Sequence, residues 1–225
     1  MRTSRSIWFH DQHLTGANKF QPKLGQDVLA SERPRSAAVP FAPLNMKRYI
    51  LTGTPGCGKT SIIRSLEIAG YVVVEEAATD IIALRQAQGI AEPWTHPSFV
   101  DDITNLQKQR QMRIADVDEV QFYDRSPLCT YALSIFLGFP VSKTLADEME
   151  RITKERIYQK QVFFIENLGF CEPSAARRIT FEDSLKFEKV HEETYRSFGY
   201  ECIRVPPKEL SLRVEQIKRY VSASA

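Results

Sequence analysis

The sequence has no clustered cysteines. Its four, Cys57, Cys129, Cys171 and Cys202, form no C-x-x-C pair, which argues against a zinc knuckle and against a secreted disulfide framework. The four histidines, His10, His13, His96 and His191, are equally dispersed, so no protein-bound metal cluster is expected. No apolar run approaches the roughly 18 residues that a membrane-spanning helix requires. Ile7-Trp8-Phe9 is too short to be the apolar stretch of a secretory signal. Charge of one sign is also lacking: the net charge is +2 over 225 residues, which gives no bulk attraction for nucleic acid or a membrane surface. There is no [NT]-K-x-D string to read a guanine base; Thr153-Lys154-Glu155-Arg156 comes nearest and ends in the wrong residue. A Ras-type GTPase is thereby set aside. The chain also has no room for the helical lid domain and sensor arginines of ring-forming ATPases. What is left, at 43% hydrophobic and 26% charged residues, is an ordinary globular composition, with a reducing, cytoplasmic location expected.

Residues 1–45 differ from the rest. They hold Pro22, Pro34, Pro40 and Pro43 and show no sustained period of two or 3.6. Six basic residues against three acidic ones leave the remaining chain at a formal −1. The segment reads as a disordered extension, or as sequence upstream of a start at Met46, ahead of one domain over 46–225. From Met46 onward strands and helices alternate. Strands are expected at Tyr49–Leu51, Tyr71–Val74, Val120–Tyr123, Val162–Ile165 and Cys202–Val205. Helices are expected over Thr60–Ala69, Ala77–Gln88, Ser98–Val117 with Ser98 as N-cap, Leu128–Leu137, Ser142–Gln159, Glu182–Ser197 and Glu209–Tyr220. This alternation predicts an α/β three-layer sandwich around a five-stranded parallel sheet. In such sheets ligands bind where the strands end.

Gly53-Thr54-Pro55-Gly56-Cys57-Gly58-Lys59-Thr60 matches G-x-x-x-x-G-K-[ST] without a mismatch. Its glycines let consecutive backbone N–H groups turn toward phosphates, and the following helix, with Ser61 in its first turn, adds a partial positive charge. Lys59 is placed to reach the β and γ phosphates and Thr60 to ligate magnesium; Cys57 contributes only backbone. The third strand runs into Asp124-Arg125, a carboxylate suited to the magnesium shell beside an arginine suited to an anionic substrate. Without that role Asp124 would simply cap the next helix. The second strand ends in Glu75-Glu76, of which at most one can face the cradle; a carboxylate there would accept a proton from a substrate hydroxyl or bind the substrate, and the alternative is that both are solvated strand-end charges. Arg177 and Arg178 lie on a loop after the fourth strand, where arginines can close over phosphates; a plain basic loop is the alternative. Lys108, Arg110 and Arg113 read as the solvated face of a polar helix. Trp94 and His96 read either as pocket-lining or as packed loop residues.

Taken in order, Gly53 to Thr60, Glu76-Ala77-Ala78, Phe122-Tyr123-Asp124-Arg125, Phe163-Phe164-Ile165, Arg178 with Glu182, and Gly199-Tyr200 with Val205-Pro206 resemble the AAA-type ATPase/kinase family related to the ribosylnicotinamide kinase domain of NadR. The resemblance covers about residues 47–220. It implies a P-loop NTPase of the kinase type with strand order 2-3-1-4-5. It also implies Asp124 near magnesium, Glu76 near the acceptor and Arg178 in a lid. Thr79, Ser126 and Glu75 depart from the family's usual residues, all near the acceptor side. The expected ligands are ATP or GTP, magnesium and a small hydroxyl-bearing, nucleoside-like acceptor, with Arg125 and Arg177 on the substrate. Relatives include GTP-binding proteins that bind phosphatidic acid, so a lipid or protein partner and a regulatory NTPase without small-molecule kinase activity stand as the alternative.

Overall fold

The computed structural model describes residues 46–114, 120–169 and 179–223. Five strands, β1 (Lys47–Thr52), β2 (Val72–Val74), β3 (Val120–Asp124), β4 (Gln161–Ile165) and β5 (Glu201–Val205), form one sheet of order β2-β3-β1-β4-β5. Every neighbouring pair is parallel. The parallel sense is the one expected from the alternation of strands and helices, and the order is the one the family resemblance implied. The helices are α1 (Lys59–Ile68), α2 (Ala78–Ala87), α3 (Ser98–Arg113), α4 (Pro127–Phe136), α5 (Lys143–Lys154), α6 (Phe181–Ser197) and α7 (Leu210–Ala223), with a 3-10 turn at Pro93–Thr95.

The middles of the central strands are apolar because both faces of the sheet are covered there. Alternate residues of one strand therefore enter different cores. Tyr49, Leu51, Phe122, Phe163 and Ile165 pack with Ile62, Ile63 and Leu66 of α1 and with Ile217 and Val221 of α7. Ile50, Tyr123 and Val162 pack on the opposite face with Leu128 of α4, Leu145, Met149 and Ile152 of α5, and Tyr195 of α6. A third cluster joins Ala77, Ile81 and Ile82 to Trp94, Phe99 and Ile103. Trp94 is 2% exposed there, so it is a packed aromatic and not a pocket lining. No helix among the described residues is long and apolar enough to cross a membrane.

Helices α3 and α5 depart from expectation at three ends. Ser98 is not the N-cap of α3; that position is Pro97, which has no side-chain cap. His96 and Pro97, between the 3-10 turn and the helix, satisfy the first amides with their carbonyl groups: Phe99 N–H donates to His96 O (3.0 Å) and Val100 N–H to Pro97 O (3.1 Å). α3 ends at Arg113, short of Val117, and residues 115–119 lie outside the described set. α5 stops at Lys154, not Gln159, because Arg156 takes a left-handed conformation (φ 51°). Ile157 N–H then donates to Ile152 O (3.1 Å) and Arg156 N–H to Thr153 O (3.3 Å), the closing pair that Gly70 makes possible at the end of α1. With no glycine at 156, the sequence carried no stop signal. Arg156→Gly is expected to raise stability by about 0.5–1 kcal/mol, read as a higher urea midpoint with unchanged slope.

Candidate active site

β1 delivers the chain into the cradle, and the geometry there admits only glycine at two places. A Cβ on Gly53 (φ 131°) would lie 2.3 Å from the carbonyl oxygen of Ile165, so the end of β1 can pass the end of β4 only without a side chain. Gly58 (φ 87°) is the N-cap of α1, and its position meets the Arg213 guanidinium. α1 has neither a side-chain cap nor an acidic residue in its first turn. Its N-terminal amides are therefore left for an anion, which the helix dipole favours. Thr60 and Ser61 sit there exposed to solvent.

Lys59 is 6% exposed. Its ammonium donates to the carbonyl oxygens of Gly53 (2.9 Å) and Thr54 (2.7 Å) and to Cys57 Sγ (3.3 Å). All three donors are thus turned onto the loop itself. Behind the loop, Arg213 of α7, 3% exposed, donates to the carbonyl oxygens of Cys57 (2.9 Å) and Glu166 (3.4 Å).

A cleft of about 180 Å³ runs from the cradle to the ends of β2 and β3, lined by Gly56, Lys59, Thr60, Glu76, Asp124 and Arg125 among others. Asp124 closes β3, buried, and its Oδ1 has no hydrogen-bond partner. Burial pushes its carboxyl up to about 6, against the pull of Lys59 and helped by the negative charge of Glu76. Arg125 follows with a left-handed backbone (φ 72°), its N–H on Leu51 O (3.0 Å) and its Nε donating to Glu76 Oε1 (2.5 Å). Glu75 turns away to Arg64 (3.1 Å), as alternation along the strand requires. Glu76 also accepts from Thr79 Oγ1 (2.8 Å). Burial raises the Glu76 carboxyl, but Arg125 and Lys59 outweigh it and hold the group below the usual carboxylate range.

The structure thus brings together Gly53 to Ser61, Glu76, Asp124 and Arg125. Arg177 and Arg178 lie outside the described residues. His96 lines a separate cleft with Arg85 and Asp102. The reading of Arg110 as solvated face is corrected: from α3 its side chain reaches past the end of β2, where it donates to the carbonyl oxygens of Glu75 (3.0 Å) and Glu76 (2.6 Å) and pairs with Asp80. Lys108 reaches the buried Glu148 (3.5 Å). His191 was missed entirely. It is 0% exposed; its Nδ1 donates to Phe187 O (2.9 Å), and its Nε2 faces Arg125 (3.4 Å) as acceptor. Burial, reinforced by Arg125, pushes it down to about 3, so it is neutral. One turn on, Tyr195 contacts Ser126 (2.9 Å) and Cys129 (3.1 Å), and Cys129 meets Thr52 (3.2 Å). Nothing in the sequence marks these partners, because each sits at an ordinary core position of its helix.

Residues 48–213 match the family described as AAA domain. The chain belongs to that family. No curated protein matches it in sequence. Solved structures similar to this AAA domain include deoxyadenosine kinase from M. mycoides with products dCMP and dCDP bound (TM-score 0.54, 13% identity, 79% of this chain and 100% of that one). The same enzyme with dATP gives 0.53 at 14% identity over 78% of this chain and 99% of that one. NadR in complex with NR gives 0.53 at 15% identity over 72% of this chain; the match spans 44% of NadR. At these identities the likeness is one of fold, an architecture shared with nucleoside kinases.

The raised Asp124 carboxyl has a consequence for stability. Between about pH 4 and 6 the unfolded chain ionises this group before the folded one does, so the ligand-free protein loses stability as pH rises through that window. Asp124→Asn removes the penalty. Without metal or nucleotide it is expected to be more stable than wild type at pH 7.5 by on the order of 1–3 kcal/mol, read as a higher melting temperature. At pH 4 the difference is expected to shrink toward zero; an equal difference at both values would contradict the assignment.

Proposed function

We propose that this AAA domain is a magnesium-dependent phosphotransferase that moves the γ-phosphate of ATP to a hydroxyl of a small, nucleoside-like acceptor. The observation that carries the reading is the two-ended cleft. One end is the phosphate cradle with Lys59. The other is the Glu76–Arg125 pair, a carboxylate able to orient an acceptor hydroxyl beside a guanidinium able to meet an anion. The neighbours of similar fold named as kinases, with dATP, dCMP or NR bound, support an acceptor of nucleoside type.

In this reading the amides of residues 53–61 and the Lys59 ammonium hold the β and γ phosphates, Lys59 giving up carbonyl contacts to do so. Thr60 Oγ1 and the unpartnered Asp124 Oδ1 are the protein atoms that fit a magnesium ion; a buried carboxylate oxygen with no donor is what such a cation satisfies. Bound there, magnesium supplies neutralisation of phosphate charge. Glu76 orients the acceptor hydroxyl and takes its proton. Because Arg125 keeps Glu76 ionised and weakly basic, its share is positioning more than proton abstraction, which suits a loose phosphoryl-transfer transition state. Arg125 offers its remaining N–H groups to the acceptor or the transferred phosphoryl group. Arg178 and Arg177 are assigned to charge stabilisation and substrate contact, respectively.

Incubation with γ-labelled ATP or GTP, magnesium and a pool of nucleosides, nicotinamide riboside and small metabolites tests this. Label is expected on one pool member, with the rate falling at least 10³-fold in Lys59→Ala and 10–100-fold in Glu76→Gln. Label released only as free phosphate, at a rate the pool does not change, would instead support a regulatory NTPase.

A further inference from the structure

β2 is an edge strand whose pairing with β3 covers only Val72–Val74. The carbonyl groups of Glu75 and Glu76 therefore lie beyond the sheet's hydrogen bonds. One side chain from another element meets this gap. Arg110, from the last turn of α3, donates Nη1 to Glu75 O (3.0 Å) and Glu76 O (2.6 Å) and turns Nη2 to the Asp80 carboxylate in the first turn of α2. A planar guanidinium can satisfy three acceptors in fixed relative positions, which an ammonium on a flexible stem does not.

Glu76 is thus held at two levels. Its backbone carbonyl is pinned by Arg110; its carboxylate is met by Arg125 on Oε1 and Thr79 on Oε2. The Cα–Cβ direction follows from the backbone, so a turn free to rotate would carry the carboxylate off Arg125 and out of the cleft. The charged groups around it are Lys59 of α1, Asp124 and Arg125 after β3, Asp80 of α2 and Arg110 of α3, with neutral His191 of α6 behind Arg125.

We propose that Arg110 is a positioning residue: it fixes the backbone of the β2–α2 turn so that the Glu76 carboxylate stands at the acceptor end of the cleft. The consequence for rate rests on the phosphotransfer reading; the clamp itself rests on the geometry alone. A displacement of about 1 Å at such a group is enough to cost on the order of 10²-fold in rate.

Two measurements on the full chain separate these. The first is amide exchange over residues 75–80, which needs no substrate. Arg110→Ala is expected to speed it at least tenfold, while Asp80→Asn, which keeps both carbonyl contacts, changes it less than threefold. No acceleration in Arg110→Ala, or equal acceleration in the two variants, overturns the clamp whatever the reaction proves to be. The second is kinetics with the acceptor identified by labelling. Arg110→Ala is expected to lower kcat/KM for the acceptor at least tenfold, with KM for ATP within twofold of wild type. In a Glu76→Gln background the same change is expected to cost less than threefold, because both residues act through one carboxylate. An undiminished cost in that background marks a general structural role and overturns the proposal. If wild type phosphorylates no acceptor, the phosphotransfer reading fails and the exchange result alone decides the clamp. Should Arg110→Ala not fold, Arg110→Met keeps the aliphatic stem and carries the same expectations.

Discussion

Arg125 is a nearly buried cation on a left-handed backbone, and the site is arranged around keeping it there. A non-glycine residue in that conformation costs on the order of 1–2 kcal/mol, and burying a charge costs more unless it is paired. The compensation comes from three elements: Glu76 at the end of β2, Leu51 O at the end of β1 and His191 on α6. Strain concentrated at a cleft and held by its surroundings is the pattern of a functional position. The parallel sheet makes the arrangement possible, since β2, β3 and β1 are neighbours and end on the same side.

The electrostatics follow from that placement. Lys59 and Arg125 bring two cations into the cleft, and Glu76 and Asp124 bring two carboxylates. Arg125 is committed to Glu76, which stays ionised, while Asp124 is left buried with one oxygen unpartnered and its carboxyl up at about 6. The two acids are therefore driven apart by their surroundings. One is a stable anion beside an arginine; the other is a buried carboxyl whose Oδ1 has no donor and whose charge Lys59 offsets only in part. α6 reinforces the division by presenting a neutral imidazole to Arg125, where a charged one would repel it.

The fold was almost fully legible in the sequence because its signals are local: apolar runs between helices, Gly70 at a helix end, the glycine-rich string after a strand. Glu75 and Glu76 could be reduced to one cleft-facing carboxylate by strand alternation alone. The failures share a cause. Arg156 ends a helix in a conformation usually marked by glycine, and Arg110 looked like a solvated charge because its partners are backbone carbonyl groups some 34 residues away in sequence. His191 lies in a helix whose pattern gives no hint that Arg125, 66 residues earlier, turns toward it. Residue type and period report burial and helix faces; they do not report which distant backbone or side chain a polar group will meet.

Lys59 holds the cradle in readiness, and we propose that a metal nucleotide completes it. A crystal structure with magnesium and a non-hydrolysable ATP analogue tests this most directly. The Lys59 ammonium is expected to leave the carbonyl oxygens of Gly53 and Thr54 for the β and γ phosphates. The metal is expected to lie against Asp124 Oδ1, with the Glu76–Arg125 end of the cleft left open. A bound nucleotide with Lys59 still on the loop carbonyl groups, or with its metal away from Asp124, would contradict it.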